Sequence, residues 1–118
     1  MDIEVAFSGV PVTELAAAQD FFERLFGAPP DILVNESEVM WRLADAAWLY
    51  IVVDAARAGH ALVAVSVPDL DAALAELAGR GIEPVAVEQV GEKERKGTVV
   101  DPDGNAVALI EVRAGASG

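Results

Sequence analysis

The stretch 97–112, GTVVDPDGNAVALIEV, constrains the fold more than any other part of the chain, because it spells a β-hairpin in full. Thr98, Val99 and Val100 are β-branched, Asp101-Pro102-Asp103-Gly104 supplies a reversal, and a second apolar run continues to Val112. Pro102 presets the φ needed at the second position of a type I turn, Asp101 can accept hydrogen bonds from the backbone ahead of it, and Gly104 can take positive φ. Two strands therefore lie side by side. In the second, Val107 and Leu109 share one face while Ala106, Ala108 and Ile110 share the other. Both faces are apolar, so each calls for cover.

Upstream, residues 3–12 read as a strand that Gly9 and Pro11 break towards its end. A helix follows over 14–26, where Leu15, Ala18, Phe22 and Leu25 recur at three- and four-residue steps, Asp20 and Arg24 pair on the other side, and Gly27 stops it. Phe21, Phe22 and Phe26 lie on this helix and belong to a core. Strands are expected at 31–35, 38–44 and 46–53, the last two joined tightly through Asp45 and carrying Trp41 and Trp48. Residues 54–59, DAARAG, form the linker. The order then repeats. A strand at 60–67 leads to a helix that Asp69 caps, faced by Leu70, Ala73, Leu74 and Leu77 and stopped by Gly79 and Gly81. A strand at 84–89 and a charged loop at 91–96 lead to the hairpin, and the tail 114–118 is expected to lack structure.

Sliding one half against the other by 55 positions pairs Val10 with Val65, Val12 with Val67, Leu15 with Leu70, Ala17 with Ala72 and Ala18 with Ala73. Glu14 pairs with Asp69. With the repeated element order, this argues for a duplicated βαβββ module: module one over about 1–53, the linker 54–59 and module two over about 60–113, within a single domain 1–118.

Composition narrows the function. The 118 residues contain no cysteine, which removes disulfides, thiol nucleophiles and thiolate metal sites. The formal net charge of −12 repels phosphate backbones and anionic lipid, so neither nucleic acid nor a membrane is expected as a partner. The acidic start MDIEVAF is unlike a signal peptide and the longest apolar run, 46–53, is too short to span a bilayer, so the expectation is a soluble, cytoplasmic protein.

With these elements in place, the chain resembles the vicinal oxygen chelate superfamily of glyoxalases, extradiol dioxygenases and bleomycin-resistance proteins. VTELAAAQDFFERLFG at 12–27 is similar to its first strand–helix signature, VSVPDLDAALAELAGRG at 65–81 to its second, and DPDGNAVAL to its closing hairpin. The resemblance implies an α+β fold in which two βαβββ modules form an open half-barrel, the glyoxalase/bleomycin resistance-like architecture, with the ligand in the trough. It also implies a homodimer, since a second copy commonly covers the open edges. The family's enzymes hold a metal there with His, Gln or Glu from the first strand of each module and Glu from the last. In this chain those positions fall at Phe7, Leu62, Ala108 and near Leu49, the last with a register uncertainty of a residue or so. None of these side chains has a lone pair to give a divalent ion. No metal and no cofactor are expected.

The candidate ligand-binding residues are Phe7, Trp41, Trp48, Tyr50, His60, Leu62 and Ala108. Flat rings in a trough suit stacking on an aromatic ligand, while the plain alternative for each is core packing. Arg42 neighbours Trp41 on the opposite face, so at most one of that pair points inward. His60, the only histidine, lies two residues before Leu62 and shares its face if the strand reaches it; following Gly59, it otherwise points to solvent. The run Glu92 to Lys96 either overhangs the trough, offering a cation to an anionic ligand, or is a solvated loop. Glu36 and Glu38 are either a paired carboxylate or an exposed turn. No Ser-His-Asp set, phosphate-cradling loop or metal-binding helix motif is present. The expected function is therefore metal-free binding or sequestration of a small, partly aromatic organic molecule, leaning away from enzymatic activity. The rivals are a metal-dependent lyase or dioxygenase with an atypical ligand set and a non-catalytic regulatory or interaction domain.

Overall fold

The computed structural model describes residues 1–112. The tail 114–118 lies outside the described residues. Contacts divide the chain into two units: Met1–Ala61 with Asp101–Asn105, and Leu62–Val100 with the strand that begins at Ala106. Each contains one βαβββ module, so the fold is α+β.

In the first unit the elements are β1 (Ala6–Val12), α1 (Leu15–Phe26), β2 (Ile32–Asn35), β3 (Glu38–Ala44) and β4 (Ala47–Val53). The sheet runs β1-β4-β3-β2, with β1 parallel to β4 and the other pairs antiparallel. The crossover through α1 is what a parallel pairing of β1 and β4 requires. Helix α1 ends where the spacing predicts, at Gly27 with φ 75°, whose N–H donates to the Glu23 carbonyl. Asp20 and Arg24 form the expected pair at 3.1 Å. The core holds Ala18, Phe21, Phe22 and Leu25 of the helix with Val10, Val12, Val39, Trp41, Leu49 and Ile51 of the sheet.

The second unit repeats this plan with β5 (Leu62–Ser66), α2 (Leu70–Gly79), β6 (Ala86–Val90), β7 (Glu94–Val100) and β8 (Ala106–Val112). The sheet order is β5-β8-β7-β6, again with the first and last strands parallel. Two carboxylates meet the N-terminus of α2: Asp69 Oδ1 accepts from the Ala72 N–H at 3.1 Å, and Glu111 Oε1 accepts from the Leu70 N–H at 2.7 Å. Both satisfy amides that the helix itself leaves without a partner and complement its dipole. Leu70, Leu77, Ile82, Val99, Val107 and Leu109 are buried. Among the described residues no helix is long and apolar enough to cross a membrane.

Several boundaries differ from the sequence reading. Strand β1 begins at Ala6, not residue 3, and β5 begins at Leu62, leaving His60 before the strand. The charged loop expected over 91–96 is shorter, because Val90 pairs with Glu94, Gln89 with Arg95 and Glu88 with Lys96. Side-chain polarity misleads there: strand residues near an edge keep their charged heads in water while the backbone joins the ladder.

The DPDGN turn is anchored in the first unit. Gly104 adopts φ 97° and its N–H donates to the Asp101 carbonyl at 3.0 Å, closing the turn as expected. Asp101 Oδ1 accepts from the amides of Asp103 and Asn105. Asn105 is 0% exposed and uses both ends of its amide. Its Nδ2 donates to the Pro11 carbonyl and to Asp101 Oδ2, each at 2.8 Å, while its Oδ1 accepts from the amides of Gly59 and Ala61. Asp103 accepts from the amide and the hydroxyl of Thr13. Truncating Asn105 would strand several buried polar groups, each at about 1–3 kcal/mol and less than additively. Asn105→Ala is therefore expected to lose about 2–4 kcal/mol, lowering Tm by roughly 10 °C in a thermal melt. A loss within about 0.5 kcal/mol, as an exposed substitution gives, would contradict this account.

Candidate functional site

Strand alternation leaves one face of the first sheet free of its helix. Register places Phe7 beside Trp48 and Gly9 beside Tyr50 across β1 and β4, then Arg42 beside Trp48 and Met40 beside Tyr50 across β4 and β3, with Ile32 of β2 beside Met40. The Phe7 and Trp48 rings are stacked, with centroids 6.4 Å apart and planes at 28°. Phe7 is 57% exposed, so this pair faces water rather than the core. Phe7, Ile32, Met40 and Trp48, with Asp2 and Glu4 of the preceding segment, border an open cavity of about 550 Å³. Its floor is apolar and its named charged groups are acidic.

Trp41 is corrected by the structure. It does not join the open face but is 2% exposed in the core, with its ring 6.0 Å from Phe22 and 5.6 Å from Phe26, and its indole N–H donates to the Ala28 carbonyl at 2.9 Å. The cause is a bulge between Arg42 and Ala44. Counting back from Ala44 opposite Ala47 without it, Trp41 would fall opposite Tyr50; with the extra residue it falls opposite Leu49, and Arg42 takes the open side.

The β1–β4 ladder bears on the position left near Leu49. Gly9 pairs with Tyr50 as Ala64 pairs with Ala108, so Tyr50 is the first-module counterpart of Ala108. Leu49 is fully buried on the helix side. On that pairing, the positions at which the resemblance expects metal ligands would fall at Phe7 and Tyr50 in one sheet and Leu62 and Ala108 in the other. Two hydrocarbons, a methyl group and one phenol offer a single donor oxygen between them, which does not fit a divalent ion that needs three or more protein ligands. Among the described residues there is no cluster of three or more His, Cys, Asp or Glu that could hold a metal.

In the second unit the helix-free face carries Leu62, Ala64, Lys96, Thr98, Ala108 and Ile110, around a cavity of about 290 Å³. Leu62 is 88% exposed. Lys96 stands 3.5 Å from Glu88 across the ladder, so its charge is already partnered. Arg95 points to the helix side, where a 3.1 Å hydrogen bond to Asp71 and the charge of that carboxylate raise its pKa above the ordinary guanidinium value. His60 borders neither cavity and is exposed, with its neighbours' amides held by Asn105. Glu36 lies in an exposed turn after Asn35, whose Oδ1 accepts from the Ser37 amide at 2.8 Å.

Sequence reasoning missed Gly9, Ile32 and Met40. Met40 and Ile32 become visible once the β3–β4 register is known, since they continue the row that Trp48 and Tyr50 begin. Gly9 was legible only as a strand interruption.

The family model described as Glyoxalase/Bleomycin resistance protein/Dioxygenase superfamily matches residues 5–109. Among solved structures, a glyoxalase/bleomycin resistance protein from Catenulispora acidiphila DSM 44928 is 39% identical over 92% of this chain and 97% of that one, with a TM-score of 0.86. A second glyoxalase/bleomycin resistance protein, from Streptomyces sp. CB03234, is 26% identical over 89% of this chain and 97% of its own, with a TM-score of 0.67. TnmS3, an antibiotic binding protein from the same Streptomyces strain, shares the fold at 24% identity and a TM-score of 0.72, covering 92% of this chain and 94% of that one. No curated protein matches the chain.

The two tryptophans report the two sides of the first sheet. Trp48→Phe is expected to leave a blue-shifted emission from Trp41 that acrylamide barely quenches, and Trp41→Phe a red-shifted emission that it quenches strongly. Equal quenching of the two single-tryptophan variants would place both rings in the same environment and contradict the register.

Proposed function

This chain belongs to the Glyoxalase/Bleomycin resistance protein/Dioxygenase superfamily, and from that premise we propose that it binds a planar, partly aromatic organic molecule without the help of a metal. The observation that carries the reading is the stacked Phe7–Trp48 pair on the helix-free face, above a cavity of about 550 Å³. A cavity of this size suits a drug-sized molecule. Exposed rings gain from a planar partner the area it buries, plus about 0.5–1.5 kcal/mol for each well-placed aromatic contact. Asp2 and Glu4 at the border, in a chain of net charge −12, favour neutral or cationic ligands over anionic ones. Binding asks no chemistry of these residues: the face offers a ring two stacked aromatic partners and an apolar floor. TnmS3, an antibiotic binding protein of the same fold, supports that direction.

A panel of neutral, cationic and anionic aromatic molecules, followed by thermal shift and tryptophan quenching, tests the reading. Ligands are expected to bind at micromolar Kd, and Trp48→Ala to weaken them about tenfold, equivalent to about 1.4 kcal/mol. Trp41→Ala should instead lower stability by about 3–5 kcal/mol through the cavity it leaves. If Trp48→Ala leaves every affinity unchanged, the aromatic face is not the site.

The purified protein supplies a second test. We expect a homodimer, sedimenting at about twice the 12.3 kDa chain mass, that carries no stoichiometric transition metal by elemental analysis and whose Tm does not respond to chelator. One zinc, nickel or iron per chain would overturn the metal-free reading, and a strict monomer at micromolar concentration the dimer.

A further inference from the structure

We propose that Gly9 and Tyr50 form the polar end of the aromatic face: Gly9 leaves the space in which the Tyr50 ring lies, and the Tyr50 hydroxyl so placed hydrogen-bonds an acceptor oxygen on a planar ligand stacked at Phe7 and Trp48. This deepens the function proposed above and rests on it. It defines the ligand class as a fused aromatic system bearing a ring carbonyl or a comparable acceptor.

A glycine inside a strand is unfavourable by roughly 0.5–1 kcal/mol relative to alanine and commonly marks the close approach of another group. Gly9 lies in the middle of β1, opposite Tyr50 of β4. A β-carbon built on Gly9 would fall 2.5 Å from Tyr50 Oη, 2.6 Å from Cζ and 3.0 Å from Cε2. The phenol ring therefore lies across the Gly9 backbone, and any side chain at that position would displace it. The hydroxyl has no hydrogen-bond partner among the described residues. It is an uncommitted donor on a half-buried ring, and it satisfies no structural need where it stands.

Spacing supplies the ligand's shape. Gly9 and Tyr50 lie two residues beyond Phe7 and Trp48 on the same two strands and the same face. Two residues of strand advance about 6.8 Å, the reach of a molecule of two or three fused rings. A ring stacked at the Phe7–Trp48 end would bring an oxygen in the plane of the adjoining fused ring towards the Tyr50 hydroxyl. Gly9 is the positioning residue in this arrangement, and Tyr50 the one that discriminates.

Fluorene and fluorenone form a matched pair of probes, alike in shape and differing by one carbonyl oxygen. By isothermal titration the wild-type protein should prefer fluorenone by about fivefold, the factor one net hydrogen bond supplies. Tyr50→Phe should abolish the preference. Gly9→Ala should also abolish it, because the methyl group drives the phenol off the strand, and should add nothing in the Tyr50→Phe background. The space at Gly9 is bounded by the far end of a single side chain, so Gly9→Ala should keep the fold, and Tyr50→Phe tests the hydroxyl independently. A preference that survives Tyr50→Phe, or equal wild-type affinity for the two probes, overturns the inference while leaving the stacking face intact. A preference that survives Gly9→Ala overturns the positioning role. Binding of neither probe, or fluorene binding indifferent to Trp48→Ala, overturns the function proposed above and this inference with it.

Discussion

Helix α1 can seal only one side of the first sheet, and strand alternation then assigns each residue of β1, β3 and β4 to the sealed side or the open one. Val10, Val12, Val39, Trp41, Leu49 and Ile51 take the sealed side and are buried with Phe22. Phe7, Trp48 and Tyr50 are left on the other, in a row with Met40 and Gly9. The site therefore arises from the packing of the core: the same parity that hides Leu49 and Ile51 presents Trp48 and Tyr50. One extra residue at the bulge after Arg42 decides which of the neighbours Trp41 and Arg42 belongs to which side.

The second determinant is polar and comes from far along the chain. Asn105 hydrogen-bonds the Pro11 carbonyl at the end of β1 while its other side holds the amides of Gly59 and Ala61. The strand that carries Phe7 and Gly9 is thereby tied at its end to the turn Asp101–Asn105, which also accepts from Thr13 through Asp103. A buried amide with all its groups partnered is specific in a way apolar contacts are not, because any other register would leave donors and acceptors unpaired in the interior. The DPDGN segment thus does more than reverse the chain. Pro102 and Gly104 make the turn, while Asp101 and Asn105 dock it.

Where an apolar face has no helix over it, side-chain chemistry alone separates the two modules. The first offers two stacked rings and a phenol lying over a glycine. The second offers Leu62, Ala64, Ala108 and a lysine already paired with Glu88. The duplicated framework is the same, with the first and last strands parallel in both sheets, while the side chains on the two helix-free faces have diverged.

The element order, both helices and the closing hairpin were legible in the sequence because each rests on local chemistry: apolar spacing at three and four residues, Asp69 at a helix start, Gly27 at a helix end, and a proline and glycine in a turn. That Phe7, Leu62 and Ala108 are apolar was legible too, since it needs only their identity. The side on which each aromatic falls was not. Trp41 and Trp48 have the same local character, and their relative parity depends on a bulge whose signal is not local; that Tyr50 stands opposite Gly9 is likewise visible only in the β1–β4 ladder. Nor could the sequence show that Gly9 makes room for Tyr50, 41 positions away. Local propensity determined the elements of this protein; pairing across strands, which no single stretch encodes, decided which of its rings meet the core and which lie on the open face.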